Sequence, residues 1–389
     1  MGSSSSSLKC EFPFKSIILR NEYRHEMRTP LTPSDARVLM EHGITVFVEQ
    51  SKNRIFTNEE YKEHGCVMVE PDFWIENSDT NCLIIGLKEL PDYILDCIEA
   101  YKHNYNFMHF QHCLKQQIDS DKTLKQLSAC KLFDFEYVKS VRDNIRLLTF
   151  GESAGFVGAA LAIFKWIEKT AAINLFQNKP FESNEFVSLI KMYNLLNPSI
   201  IIIGANGRCG VGAQSLLRQS GITNVTLWDI EDTRIAGPYE DLLKYDIIIN
   251  TILLNDDAST PSNVFLTTEM LKRKDKQLKI IVDVSCNVSS TKNVLPFCDR
   301  YTTFDEPFME LNGVSICTID NLPSLMPLSS SVAFSSKLTE LITNYDPAIW
   351  QKCLDVFQIK IHSIQPMAEP SQFSTQTEAL HPFVWLLNM

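Results

Sequence analysis

A chain of 389 residues has room for two or three domains at about 150 residues each, and apolar residues at 44% supply cores for them. Thirty-six Lys plus Arg against 47 Asp plus Glu leave a net charge of −11 without any basic block, which argues against nucleic acid as a partner. The longest apolar stretches, 153–164 among them, fall short of the roughly 20 residues a bilayer requires, and no charged-then-apolar segment opens the chain, so neither a membrane span nor secretion is expected.

The eleven cysteines are odd in number and contain no CxxC pair, a pattern that fits a reduced, cytoplasmic compartment. Gly2 followed by Ser6 matches an N-myristoylation signal, but the same run equally reads as an expression-vector scar or an unstructured start.

In chain order, strands are expected at 16–19, 44–49, 66–69, 83–87, 106–110 and 131–135, with helices at 34–42 and 122–127. A further strand at 146–150 leads into a long helix over 150–170 that suits an interdomain connector. The second half repeats the grammar with strands at 199–203, 224–228, 246–252, 279–284 and 313–317. A helix follows at 335–344, and the last twenty residues read as loosely ordered. Continuous Ile/Val/Leu runs mark strands buried on both faces, as in parallel sheets covered by helices. The expected architecture is α/β, with two Rossmann-like doubly wound domains and a cleft between them. Residues 150–329 would form the dinucleotide-binding domain, and 1–149 with about 330–389 a discontinuous substrate domain.

The sharpest local signal is SIIIIGANGRCGVGA, where a four-isoleucine strand runs into Gly204, Gly207, Gly210 and Gly212 and then a helical QSLLRQ. Glycines let the chain turn tightly and let a diphosphate reach the helix N-terminus, whose N–H groups and dipole favour an anion. The spacing is GxxGxxGxG rather than GxGxxG. The next strand ends in Asp229, which is placed to accept hydrogen bonds from the adenosine ribose and to repel a 2′-phosphate. NAD is therefore the expected cofactor.

Two polar clusters follow apolar strands in the first half. LIIGLKELP carries Lys88 and Glu89, and NFMHFQHCLKQQ carries His112 and Lys115. Ligands of open α/β sheets bind outside the carboxyl ends of strands, so both clusters suit one cleft, and a Lys–His pair suits proton transfer in amine oxidation. The bland alternatives are a surface lysine and a satisfied core histidine. His109 and His112 stand three apart, but with no third ligand cluster a metal site is not expected.

The ordered runs RNEYRHEMRTPLTP, LIIGLKELP, HCLKQQ, FDFEYV, FGESAGFVGAA, IIGANGRCGVGA, LWDIEDT, VDVSCN and SICTIDNLPSLMP, over about 16–345, resemble the NAD-dependent, lysine-forming saccharopine dehydrogenases. The resemblance implies reversible conversion of saccharopine, NAD⁺ and water to lysine, 2-oxoglutarate and NADH, within the aminoadipate pathway. It maps the proposed amine base onto Lys88 and the acid–base group for imine hydrolysis onto His112. Glu89 and Glu136 would tune both. Substrate contacts would fall on Arg28, Lys115, Gln117, Arg146, Phe150, Ser285 and Asn287. Cofactor contacts would fall on Gly204, Gly207, Arg208, Gly210, Asp229, Thr233, Leu253, Val284, Ile319, Asp320, Asn321 and Leu322. Three substrate carboxylates suit bidentate guanidinium partners.

Departures from the family pattern bear on substrate fine-tuning. Asn287 stands where an Asp is common, and Leu253 replaces an aromatic near the nicotinamide pocket. A fungal member has a cysteine where this chain has Thr251, so Cys209 is expected to stay unpaired here. The partners implied are small molecules, acting on what reads as a monomer. An alanine-dehydrogenase-like oxidoreductase and a non-catalytic NAD-binding relative are the competing functions.

Overall fold

The computed structural model describes residues 11–114, 119–171, 179–193, 197–253, 263–286, 288, 290 and 292–364. Lys115, Gln117, Asn287, Gly2 and the C-terminal segment lie outside these residues.

The first sheet contains β1 (Ser16–Leu19), β2 (Thr45–Glu49), β3 (Val67–Val69), β4 (Cys82–Ile85), β5 (Asn106–His109) and β6 (Lys131–Asp134). Its order is β3-β2-β1-β4-β5-β6, and every pairing is parallel. The interior strands β4 and β5 are buried at every position; β4 accordingly reads as an unbroken apolar run, while β5 buries the polar Asn106 and His109 at its two ends. Helices α1 (Pro33–Glu41), α2 (Asn58–Glu63), α3 (Phe73–Asn77), α4 (Asp92–Tyr101) and α5 (Ser120–Gln126) make the crossovers. A 3₁₀ turn over Phe135–Tyr137 follows β6.

The second sheet is reached through α6 (Gly151–Ala171) and α7 (Ser183–Met192). Its elements are β7 (Ile200–Ile203), α8 (Arg208–Gln219), β8 (Val225–Trp228), β9 (Ile247–Asn250), α9 (Thr268–Leu271), β10 (Ile280–Asp283), β11 (Met309–Leu311) and β12 (Val314–Cys317). The order is β11-β12-β10-β9-β7-β8, parallel except for the β11–β12 edge. Two helices close the described chain, α10 (Pro327–Thr343) and α11 (Pro347–Ile364). Phe334, Trp350 and Phe357 from these helices join the core of the first sheet.

Helices α6 and α8 cross with touching backbones. A Cβ at Gly155 would collide with the Cys209 carbonyl, and one at Gly212 with that of Glu152. The glycines of FGESAGF and GVGA thus set the closeness of this crossing.

The strand expected at 146–150 does not form. Arg146 makes only an isolated antiparallel bridge to Lys139. Leu148 turns into the core, and Phe150 stacks on Phe334 at 4.6 Å. Side-chain burial in the core of the first sheet, not strand pairing, accounts for that apolar run. The helix expected at 335–344 begins earlier, at Pro327, whose missing N–H costs nothing at a first turn.

Candidate active site

Each sheet reverses its strand order once, between β1 and β4 and between β7 and β9. Ligands of such sheets sit at these points, outside the carboxyl ends of the strands.

At the first reversal, Arg20 follows β1 and Gly86-Leu87-Lys88 follows β4. The Arg20 guanidinium is fully buried and pairs with Glu22 at 3.3 Å. Its Nη2 also donates to the Lys88 carbonyl. Glu22 in turn accepts the backbone N–H groups of Leu87 (2.6 Å) and Lys88 (3.0 Å). A Cβ at Gly86 would overlap the Arg20 guanidinium, so this arrangement requires glycine there. The Lys88 peptide is held from both sides, while its Nζ is 4.0 Å from Glu26 Oε2.

Glu26 is buried and accepts Arg28 Nε (2.9 Å), Arg28 Nη2 (2.8 Å) and the Arg28 backbone N–H (2.9 Å). Burial pushes the Glu26 carboxyl up, but the Arg28 charge, its hydrogen bonds and Lys88 outweigh this and hold it below the usual carboxylate range. The Arg28 guanidinium lies over the Phe150 ring at 4.6 Å. Arg28 therefore meets the cleft with its Nε–Nη2 edge already engaged by Glu26.

His112 lies three residues past β5, beside the segment that follows β4. Its Nε2 is 3.9 Å from Glu89 Oε1, and its Nδ1 is 3.7 Å from Glu136 Oε2. Its ring stacks on Phe110 at 5.8 Å. Burial lowers the imidazole pKa, but the neighbouring Glu136, Glu89 and Asp134 carboxylates more than offset this, so the net shift is upward. Glu136 also lies 3.6 Å from Arg146 Nη2. The two histidines are not equivalent. His109 is wholly buried against Gln111 Oε1 at 2.7 Å, and burial with the Arg20 charge drives its pKa down to about 3. His109 thus faces Gln111 in the core, whereas His112 faces Glu89 and Glu136. Among the described residues no group of three or more ligating side chains comes together.

At the second reversal, Gly207 caps α8 without any side-chain hydrogen bond. A Cβ at Gly210 would strike the Gly204 and Ala205 carbonyls. The first turn of this 12-residue helix therefore takes no side-chain cap from Gly207, and such an N-terminus suits a dinucleotide diphosphate. Asp229 at the end of β8 accepts Asn206 N–H at 2.7 Å and Ile230 N–H at 2.8 Å, one on each oxygen. Each oxygen keeps acceptor capacity for a ribose hydroxyl. Thr233 donates back to the Asp229 carbonyl at 3.3 Å. Arg234 is ion-paired with Glu231.

Arg208, in the first turn of α8, donates to the Arg146 carbonyl. This contact joins the dinucleotide cradle to the His112–Glu136–Arg146 cluster. Burial and the Arg146 charge lower the Arg208 pKa.

Of the other residues expected at the site, Ser285 donates to the Ile252 carbonyl at 2.6 Å and so bridges the ends of β9 and β10. Val284 packs against Gly158 of α6. Ile319 and Leu322 belong to the core beneath α6, whereas Asp320 and Asn321 face outward. Leu253 is 91% exposed. Thr251 donates to the Ile203 and Gly204 carbonyls, and Cys209 is a free thiol.

The model for the alanine dehydrogenase/PNT N-terminal domain matches residues 17–157, and that for the alanine dehydrogenase/PNT C-terminal domain matches 199–360. The saccharopine dehydrogenase (NAD(+), L-lysine-forming) of Yarrowia lipolytica is 34% identical over 337 residues, covering 80% of this chain and 87% of that protein. The chain belongs to the saccharopine dehydrogenase (NAD(+), L-lysine-forming) family. The Emericella nidulans member is 31% identical over 371 residues, covering 88% of this chain and 96% of its own. A solved L-alanine dehydrogenase superposes with a TM-score of 0.60 over 88% of this chain and 93% of its own, at 16% identity. That likeness concerns the fold.

Three carboxylates in the family's ordered runs escape a reading by residue type alone: Glu22, Glu26 and Asp134. Each acts on a group distant in sequence or on backbone N–H groups, and local spacing carries neither fact. Their acidic character beside arginines in RNEYRHEMR, and before the glutamate in FDFE, was the available signal.

Proposed function

We propose that this chain is an NAD-dependent saccharopine dehydrogenase that converts saccharopine and water to L-lysine and 2-oxoglutarate, reversibly. The observation that carries the reading is the emergence of Lys88 and His112 from adjacent strand ends, joined through Arg146 and Arg208 to an uncapped dinucleotide cradle. Bound along the α8 N-terminus, NAD supplies the hydride acceptor.

Lys88 Nζ takes the proton from the secondary amine as the glutamate-side α-carbon gives up its hydride, leaving an imine. His112 then relays protons during attack of water on the imine carbon and departure of lysine. Glu89 and Glu136 stabilise the imidazolium between these transfers. The substrate carboxylates meet the remaining donors of Arg28 and Arg146, with Phe150 and Ser285 nearby; Lys115, Gln117 and Asn287, outside the described residues, are the further substrate contacts of this reading. Cofactor contacts fall on Gly204, Gly207, Arg208, Gly210, Asp229 and Thr233, with Val284 and 319–322 alongside and Leu253 at the rim.

Residues 1–149 with 330–389 act as the substrate unit, and 150–329 as the cofactor unit. The chain acts as a monomer in this reading. The ten described cysteines are all free thiols, which supports a reduced, cytoplasmic setting. No helix among the described residues is long and apolar enough to cross a membrane. The test is NADH formation by the purified chain on adding saccharopine and NAD. Formation that requires saccharopine supports the reading, and none with active-site-intact protein overturns it.

A further inference from the structure

Asp134 ends β6 opposite His109 of β5, and it is completely buried. Its Oδ2 accepts the backbone N–H of Gln111 at 3.2 Å and of His112 at 3.3 Å. Its Oδ1 accepts the backbone N–H of Glu136 at 2.9 Å. One carboxylate therefore holds the main chain of two segments whose side chains face each other at 3.7 Å across His112 Nδ1 and Glu136 Oε2. His112 has φ +57°, the left-handed region that is uncommon for a non-glycine residue and gains from restraint. The Asp134 hydrogen bonds supply that restraint. They reach backbone atoms alone, so both side chains stay available to the cleft. From the far side, Cys353 of α11 donates to the Asp134 carbonyl at 3.4 Å.

We propose that Asp134 is the positioning residue of the proton-transfer site, a buried carboxylate that fixes where both His112 and Glu136 stand. The proposal rests on the reading of His112 as proton carrier. Asp134 also contributes negative charge to the surroundings of the imidazole. Among the described residues, the other charged or titratable groups facing His112 are Glu89 beyond β4, Glu136 in the turn after β6 with Arg146 beside it, and the neutral His109 on β5.

The test is a double-mutant cycle of Asp134→Asn and His112→Gln, read as kcat, saccharopine KM, NAD binding and the pH profile of kcat. Asp134→Asn should lower kcat about tenfold to a hundredfold, the scale for displacing a catalytic group, with NAD binding unchanged. The pH limb of the imidazole should move to lower pH, because a negative charge is removed. In the His112→Gln background the same change should add little, since residues acting as a unit are not additive. Additive losses, or an unmoved limb, would overturn the proposal. The native protein gives an answer that needs no variant to fold. Burial pushes the Asp134 carboxyl up to about 6, so the amide resonances of Gln111, His112 and Glu136 should shift together through one titration. Independent midpoints would overturn the proposal as well. A native chain without saccharopine turnover would instead sink the functional reading, leaving the amide titration to judge Asp134.

Discussion

Replacing Glu22 by glutamine should damage both stability and turnover, although Glu22 itself need never touch substrate. Glu22 and Arg20 are 9% and 0% exposed in their side chains and stand 3.3 Å apart. Neutralising one partner leaves the other charge buried and uncompensated, at a cost of about 3–5 kcal/mol. A glutamine also keeps only one acceptor for the two N–H groups of Leu87 and Lys88. At about 2–4 °C per kcal/mol for a unit of roughly 150–250 residues, the melting midpoint should fall by about 6–20 °C. The Lys88 peptide loses one of its ties, so kcat should drop on the order of a hundredfold. The assay is thermal unfolding by circular dichroism together with saccharopine-dependent NADH formation. As a control, Glu41→Gln breaks the exposed Arg37–Glu41 pair, whose side chains are 64% and 61% exposed, and should change neither quantity appreciably. A Glu22→Gln variant that melts and turns over like the native protein would show that the buried pair does not hold Lys88.

Lys88→Met should cut kcat by roughly 10²–10⁴-fold, the scale of a general base, while fluorescence titration finds NAD affinity unchanged. His112→Gln should slow turnover with saccharopine binding largely intact, and unchanged turnover would return His112 to a structural role. The folded pKa of His112 is raised, so its stabilising charge is fully present below the ordinary histidine value and is lost as pH rises through the folded one. Glu136→Gln should accordingly move the imidazole's kinetic limb to lower pH. Asp229→Ser should weaken NAD binding and narrow a native preference over NADP of at least about a hundredfold, the scale of a few kcal/mol of like-charge repulsion. Equal native use of both cofactors would mean that Asp229 points elsewhere.

The parallel strands were legible because strands buried on both faces leave a continuous apolar record. Ile200–Ile203 is the plainest case. Short, half-exposed elements were less so. Helix α2 carries a complete Thr57–Glu60 capping box, a sequence signal that was there to be read. Helix α11 buries Trp350, Cys353, Leu354, Phe357 and Ile361 at helical spacing, yet its β-branched residues mask the period. The run at 146–150 looked like a strand because core burial from a loop and burial in a sheet leave the same apolar trace.

At the site, glycines and strand-end polar residues identify themselves by type and position. The carboxylates that hold them do not, because their meaning lies in which N–H they accept. Glu22 meets Leu87 and Lys88 across 65 and 66 positions, and Asp134 meets Gln111 and His112 across 23 and 22. Asp283 does the same at the end of β10, accepting Asn250 Nδ2 at 2.9 Å and Ser285 N–H at 3.2 Å. Burial pushes its carboxyl up to about 6. In both sheets a buried aspartate ends an inner or flanking strand and shapes the loop that follows, an arrangement that requires the third dimension to be seen.

In the condensing direction, NADH oxidation can be followed with L-lysine plus 2-oxoglutarate against pyruvate plus ammonia, and the product identified by mass spectrometry. Oxidation is expected with the first pair only, with saccharopine as product and loss of the signal in Lys88→Met. Oxidation with pyruvate and ammonia, without saccharopine, would contradict the proposed function and place the chain's activity with a smaller amino acid.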